Sequence, residues 1–324
     1  MPAEPRTPPK HTAGQAMIVS GTSHPRLTHE ICDLLELQPT PALVTQFKNE
    51  ETRVQIEENV RGADVFVVQS MCTPIDHHII ELFLMIDALR RASAARVTAV
   101  IPYFAYAKQE KKMAGREPIS AKVIAKLIET VGADRVLTID LHAPAIEGFF
   151  DIPVDHLRAA PLLASAFTKI RTEREIVVVS PDAGGVARAN DFRARIGSDM
   201  AIISKTRPST DITEIIDMVG DVRGRCAVIV DDMISTGGTL VEAVEAVCQR
   251  GADEVYACAT HAIFAGDAVE LIMRSHLKGL VTTDTLPVSQ DRVNSKIEVL
   301  TVAPLLADAI ARIHENRSVS ELFN

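Results

Sequence analysis

Residues 228–240 read VIVDDMISTGGTL, a β-branched run that ends in two adjacent carboxylates and passes into glycines and hydroxyls. Val228, Ile229 and Val230 have the composition of a buried parallel strand, ending at Asp231 and Asp232. Two chemistries suit the loop beyond that acid pair. As a plain strand-to-helix turn, Gly237 and Gly238 bend the chain, Thr239 caps a helix and the acid pair stays solvated. As a ligand site, the glycines let backbone N–H groups approach an anion, Ser235, Thr236 and Thr239 add donors, and the helix N-terminus favours negative charge. The carboxylates would repel phosphate, so they suit neutral hydroxyls or a metal ion. A phosphate cradle beside an acid pair for vicinal hydroxyls describes a ribose 5-phosphate group.

Four more stretches carry candidate chemistry. TIDLHAPAIEGFFDIPVDH (138–156) closes a strand with Asp140 and His142, which share a face at a strand period of two, and Asp151 and Asp155 lie further along. These form either a divalent-metal site or a surface acid with a loop-capping histidine; carboxylates suit Mg²⁺, for which a histidine ligand is unusual. SPDAGGVARAND (180–191) offers Asp182 to a ribose hydroxyl or a metal-bound water, with Gly184 and Gly185 admitting close approach, or it makes an ordinary Asp-containing turn. PYFAYAKQEKKMAGREP (102–118) gathers Lys108, Lys111, Lys112 and Arg116 behind Tyr103, Phe104 and Tyr106, in a chain with only 4% aromatic residues. That suits nucleotide stacking and phosphate contact, and equally a solvated charged loop. ISKTRPSTDITEI (203–215) sets Lys205 and Arg207 two apart past a strand, on a mobile lid for phosphoryl transfer or on an exposed hairpin.

Such sites need a scaffold that aligns strand ends. Apolar strand candidates at 64–70, 96–102, 135–140, 175–182 and 254–261 alternate with helical patterns such as PRLTHEICDLLEL, SAKVIAKLIETVG and GTLVEAVEAVCQR. The alternation argues a doubly wound α/β architecture, which places ligands at the carboxyl ends of strands. GADRVLTIDLHA from Gly132 and GADEVYACATHA from Gly251 echo one another, as a duplicated αβ domain would, although glycine at a helix end is common in any case. At 324 residues the chain has room for two cores. The expected organisation is a disordered, proline-rich extension at 1–16, domains at 17–157 and 158–303, and an amphipathic helix with a tail at 304–324, able to pack on the first domain.

A net charge of −9 without a basic stripe excludes nucleic acid as the main partner. The N-terminal stretch lacks an apolar signal region, and IIELFLMIDAL at 79–89 falls short of the roughly 20 apolar residues a membrane span needs. Five cysteines without CxxC spacing fit buried thiols in a reducing cytosol.

The motifs SGTSHPRL, IPYFAYAKQEKK, REPISAK, DLHAPAIEGFFDIP, SPDAGGVARA, VDDMISTGGT and SVSELF occur in that order between about Met17 and Asn324. Together the set resembles the ribose-phosphate diphosphokinase (phosphoribosyl pyrophosphate synthetase) family; VDDMISTGGT alone suits any phosphoribosyltransferase. The resemblance implies two pseudo-symmetric domains of the phosphoribosyltransferase type I fold, each a mainly parallel sheet flanked by helices. It implies transfer of an intact diphosphate from ATP to the 1-hydroxyl of D-ribose 5-phosphate, with Mg²⁺ as cofactor. By the same resemblance Ser235, Thr236, Gly237, Gly238 and Thr239 hold the 5-phosphate, and Asp231 with Asp232 hold the ribose hydroxyls. Phe47, Asn49 and Glu51 match a segment that meets ATP bound in a neighbouring subunit, and Lys108 with Gln109 completes the ATP site. His142 and Asp182 match Mg²⁺ positions, with Asp140 nearby; Lys205 matches the catalytic lysine and Arg207 the loop arginine, which also serves ribose 5-phosphate. A cytoplasmic homo-oligomer, often a hexamer, is implied as well, with no membrane partner.

Three positions depart from the family pattern. The usual Arg-Gln-Asp is Lys108-Gln109-Glu110, which keeps a charge and loses a bidentate fork. The usual second Asp of the phosphate loop is Ser235, and FKNEE stands where Ser-Asp-Gly-Glu or Ser-Asn-Gln-Glu more often succeeds the Phe. Against a single-domain phosphoribosyltransferase stand the doubled chain and residues 102–118. A non-catalytic subunit would have degraded the Lys205–Arg207 loop or the metal residues, and this chain keeps both.

Overall fold

The structure, a computed structural model, describes residues 14–168, 172–206, 215–289, 292–293 and 295–323. The first half runs through β1 (Ala16–Ser20), α1 (Pro25–Leu34), β2 (Ala42–Gln46), β3 (Thr52–Ile56), β4 (Asp64–Val68), α2 (Ile75–Arg91), β5 (Arg96–Ile101), α3 (Ser120–Thr130), β6 (Arg135–Ile139) and β7 (Val154–Leu157). The second continues with α4 (Ala160–Phe167), β8 (Ile176–Ser180), α5 (Val186–Ile196), β9 (Asp199–Thr206), β10 (Ile215–Val219), β11 (Cys226–Ile234) and α6 (Gly238–Gln249). It closes with β12 (Glu254–Ala262), α7 (Ala268–Arg274), β13 (Gly279–Thr283), β14 (Ile297–Leu300) and α8 (Ala303–His314).

Two parallel sheets result. The first has the order β1-β4-β5-β6-β7; the second has β10-β9-β8-β11-β12-β13-β14, with β10 alone antiparallel to its neighbour. The order of five parallel strands thus recurs as β8-β11-β12-β13-β14. The sequence echo does not mark equivalent strands, however. Counted from β1 and β8, β6 is the third neighbour and β12 the second. Each comes after a helix closed by a glycine at positive φ (108° at Gly132, 88° at Gly251), so helix-end chemistry accounts for the match.

Alternation along each strand sends side chains to two layers. In β1, Met17 and Val19 face a core with Leu82 and Ile86 of α2 and Ala125 and Ile128 of α3. Ile18 faces the opposite way, into a layer holding Ile31 of α1, Phe167 of α4, Phe192 of α5 and Ile310 of α8. That layer also receives Val178, Val228, Val230 and Cys258 of the second sheet, whose far face is covered by α6 and α7. Burying one such apolar side chain stabilises by about 1.5–3 kcal/mol, against about 0–1 kcal/mol for an exposed ion pair. The shared apolar layer joins the halves. At one edge α8 meets the first sheet: Arg96 Nη2 donates to Ile313 O at 2.9 Å and His314 Nδ1 lies 2.9 Å from Asp64 Oδ2. No helix among the described residues is long and apolar enough to cross a membrane.

Residues 1–13 of the expected extension lie outside the described residues, and β1 already begins at Ala16.

Candidate active site

β11 does not stop at the acid pair. Its partner β12 is equally long, so pairing continues through Asp231↔Ala259 to Ile234↔Ala262. Asp231 and Asp232 therefore project to opposite sides within a strand, and Ser235 opens the loop. Gly237, at φ 80°, is the cap residue of α6, and a Cβ there would press on Ala268 O at 3.3 Å. Thr239 lies inside the helix and does not cap it, and the cap residue Gly237 supplies no side-chain hydrogen bond. The first-turn N–H groups of α6 are left for an anion.

A cavity of about 150 Å³ gathers Lys108 and His142 from the first half with Asp182, Asp231, Asp232, Ser235, Thr236, Gly237 and Thr239 from the second. Gly238 stands between two of the lining residues. Lys108 arrives on a 3₁₀ turn, Ala107–Gln109, whose neighbour Gln109 receives Ser120 Oγ at 2.6 Å. Asp182 accepts Gly185 N–H at 2.8 Å, opening α5. His142 Nδ1 lies 2.7 Å from Asp232 Oδ2, so the two halves meet across the site.

Arg188, on the first turn of α5, stands 3.3 Å from Asp231 Oδ1 and 3.4 Å from Asp232 Oδ1. Sequence reasoning passed over it. The available signal was a cation in a helix first turn, where the dipole disfavours it unless a carboxylate is near. Burial, then the neighbouring Asp232 charge, pushes the Asp231 carboxyl well above the usual carboxylate range. Burial also opposes ionisation of Asp232, but the His142 hydrogen bond and the Arg188 charge outweigh it and hold its carboxyl below the usual range. The same hydrogen bond raises His142 against its own desolvation.

The structure also places the other expected residues, and it corrects the strand-period argument at Asp140 and the stacking role of Tyr103 and Phe104. Asp140 takes φ 40°, so the strand ends before it and the period-two argument for a shared face with His142 fails. Its Oδ2 accepts Ala159 N–H at 3.0 Å and Thr260 Oγ1 at 2.7 Å, with the residue 8% exposed. It ties the halves together and borders a neighbouring cavity, not the one that holds Lys108 and Ser235. Asp151 pairs with Lys126 and Asp155 with Arg135, both at 2.6 Å, away from the site. Tyr103 and Phe104 are buried, packing edge-on against His261 and Phe150, and present no stacking face. Phe47, Asn49 and Glu51 occupy the exposed turn between β2 and β3, with the Arg53 guanidinium 5.7 Å from the Phe47 ring centre; they do not line the cavity. Lys205 pairs with Ile216 in the β9–β10 ladder, its side chain lying outside the described residues, as does Arg207 altogether.

Among the described residues no three His, Cys, Asp or Glu side chains already stand together as a metal cage. The donor set nevertheless fits a hard divalent cation. Asp182, Asp231 and His142 border one cavity and offer it carboxylate oxygens and an imidazole nitrogen. Mg²⁺ is commonly held by one or two carboxylates together with substrate oxygens.

The family model for the N-terminal domain of ribose phosphate pyrophosphokinase matches residues 16–132, and that for the phosphoribosyl synthetase-associated domain matches residues 204–324. The ribose-phosphate pyrophosphokinase of Caldanaerobacter subterraneus subsp. tengcongensis is 49% identical over 306 residues, covering 94% of this chain and 97% of its own. That of Bacillus subtilis is 46% identical over 307 residues, covering 95% and 96%. The crystal structure of phosphoribosylpyrophosphate synthetase from Mycobacterium smegmatis aligns with a TM-score of 0.89 at 40% identity, over 94% of this chain and 100% of that one. With relatives this similar along nearly its whole length, the chain belongs to the ribose-phosphate pyrophosphokinase family.

Proposed function

We propose that the chain transfers the β,γ-diphosphate of ATP to the 1-hydroxyl of D-ribose 5-phosphate, releasing AMP and 5-phospho-D-ribose 1-diphosphate. The observation that carries this reading is the single cavity where Lys108 and His142 face the acid pair and the uncapped loop of the other half. Ser235 to Thr239 and the first turn of α6 bind the 5-phosphate; Asp231 and Asp232 accept the ribose hydroxyls. The sugar 1-oxygen then attacks the β-phosphorus, the bridging oxygen leaves with AMP, and the hydroxyl proton passes to solvent.

Charge spreads over the phosphoryl oxygens in this step, so positioned cations are the main tools. Lys108 supplies one at the cavity wall, and Lys205, near the end of β9, with Arg207, next after that strand, supply others. Asp182, Asp231 and His142 would hold Mg²⁺, which when bound neutralises polyphosphate charge. Arg188 keeps the acid pair oriented. Gln109 completes the ATP site beside Lys108. Phe47, Asn49 and Glu51 stand on an exposed turn outside the cavity, the arrangement expected if each chain lends this turn to the ATP of a neighbouring copy in a cytoplasmic homo-oligomer. The domain division proposed with this function is 17–157 and 158–303, with 304–324 as an appended helix and tail.

The test is AMP formation by the purified chain with ATP and Mg²⁺, with and without ribose 5-phosphate. Strictly ribose-5-phosphate-dependent AMP supports the proposal. ADP as the nucleotide product, or AMP without the sugar phosphate, overturns it.

A further inference from the structure

The first turn of α2 touches two segments at once. On one side is the 47–51 turn, whose base is the cross-strand pair Gln46↔Thr52. The turn closes on itself: Phe47 N–H donates to Glu51 O at 2.8 Å, Glu50 N–H to Phe47 O at 2.9 Å, and Gln46 Nε2 reaches Glu50 O at 3.4 Å. His77 Nδ1 receives Gln46 Nε2 at 3.2 Å and stands 3.5 Å from Thr52 Oγ1, so it holds both residues at the base. With Nδ1 accepting, the ring hydrogen sits on Nε2, 3.1 Å from Glu81 Oε1. Glu81 is only 1% exposed, and it is fixed in turn by Thr22 Oγ1 at 2.7 Å and Gln69 Nε2 at 2.6 Å. A polar chain therefore runs from buried Gln69, just past β4, and Thr22, just past β1, through buried Glu81 to the base of an exposed turn.

On the other side, Asp76 Oδ1 receives Tyr106 Oη at 2.6 Å. Tyr106 sits at φ 60°, directly before the 3₁₀ turn that carries Lys108 into the cavity. Neighbouring residues of one helix turn thus brace both segments, and the helix itself is anchored in the core by Leu82, Met85 and Ile86.

We propose that Asp76 and His77 are positioning residues for the nucleotide, holding the 47–51 turn and the 107–109 turn in their binding geometry. The inference rests on the reading of those two turns as nucleotide-contacting. A turn on the surface loses ordering entropy when a ligand binds unless it is held beforehand, and buried Glu81 extends the rigidity of the core to it through His77.

The effect belongs in nucleotide binding and leaves the chemical step alone. Losing one such hydrogen bond raises KM for ATP about three- to tenfold, with kcat and KM for ribose 5-phosphate nearly unchanged. The variants are His77→Ala, Tyr106→Phe, His77→Gln and Asp76→Asn, measured in the full-length enzyme beside Phe47→Ala as comparator. Glutamine can accept from Gln46 and donate to Glu81, and asparagine can still accept from Tyr106, so both conservative changes should restore wild-type KM. Because the two contacts share no partner, the His77→Ala and Tyr106→Phe effects on KM should multiply in the double variant.

The proposal is overturned if Phe47→Ala raises KM for ATP while His77→Ala and Tyr106→Phe do not. It is also overturned if kcat and both KM values shift together, or if His77→Gln behaves like His77→Ala. Should Phe47→Ala itself leave KM for ATP unchanged, the nucleotide reading of the turn fails first, and the positioning role falls with it.

Discussion

Substituting Asp140 separates a tie between the two halves from a metal ligand, since the two roles give opposite results. Its Oδ2 is the acceptor for Ala159 N–H at 3.0 Å and Thr260 Oγ1 at 2.7 Å, in a buried position. A hydrogen bond to a charged acceptor contributes about 1.5–3 kcal/mol, so Asp140→Ala, which strands both donors, should cost about 3–6 kcal/mol. Asp140→Asn keeps a carbonyl oxygen for both donors and tolerates the φ of 40°, so it should cost only about 1–2 kcal/mol. Thr260→Val removes a single partner and should fall near the Asn variant. Urea unfolding reads these costs. The Mg²⁺ dependence of AMP formation supplies the second measurement, and Asp140→Asn should leave its midpoint within about twofold, since loss of a true ligand or its support typically costs 10–100-fold. A tenfold or greater rise in the Mg²⁺ midpoint for Asp140→Asn, with stability unchanged, would refute this reasoning and restore Asp140 as a ligand.

His142→Ala should raise both the Mg²⁺ requirement and KM for ribose 5-phosphate, because the ring bonds Asp232 beside the sugar-phosphate loop; a KM for the sugar phosphate that stays put would contradict this. Ser235→Ala should weaken ribose 5-phosphate binding by at most about 1.5–3 kcal/mol, whereas Asp231→Asn and Asp232→Asn should lower kcat/KM far more. A nearly inactive wild type rescued by Ser235→Asp would reverse that ranking. His24 caps α1 through Nδ1 and is buried. Burial, then the Arg26 charge, lowers its pKa from 6.5 to about 4. With the folded value depressed, the unfolded chain binds the extra proton first, so this contribution is intact above pH 6.5 and drains away as pH falls towards 4. By pH 4.5 the loss is roughly 2.5 kcal/mol. His24→Asn, a non-titrating cap, should flatten that part of the unfolding profile, and an unchanged slope would exclude His24 as its source. Finally, Lys205→Ala should lower kcat far more than it raises either KM; weakened ATP binding at near-normal kcat would mark a ground-state contact instead.

By itself the sequence determined what depends on neighbours along the chain. The apolar run of β4, buried at every residue, announces a strand covered on both faces, and such runs alternating with helical periods give the α/β class. Glycine at Gly237 foretells the positive φ that opens the loop onto α6, and the order of motifs carries the family. The β2–β3 hairpin was not legible as strands, because its residues are half-exposed and gain no apolar run from a covering layer. Only the tertiary structure decided which strand ends face one another. His142 meets Asp232 from 90 residues away and Arg188 meets Asp231 from 43, because two sheets share one apolar layer that sets their separation. The same packing buried Tyr103 and Phe104, which composition alone offered as a stacking surface, and turned Asp140 towards Thr260. Residue type fixes which chemistry a side chain can perform. Its partners depend on where the other sheet lies, and that is set by the sum of many apolar contacts that no local pattern records.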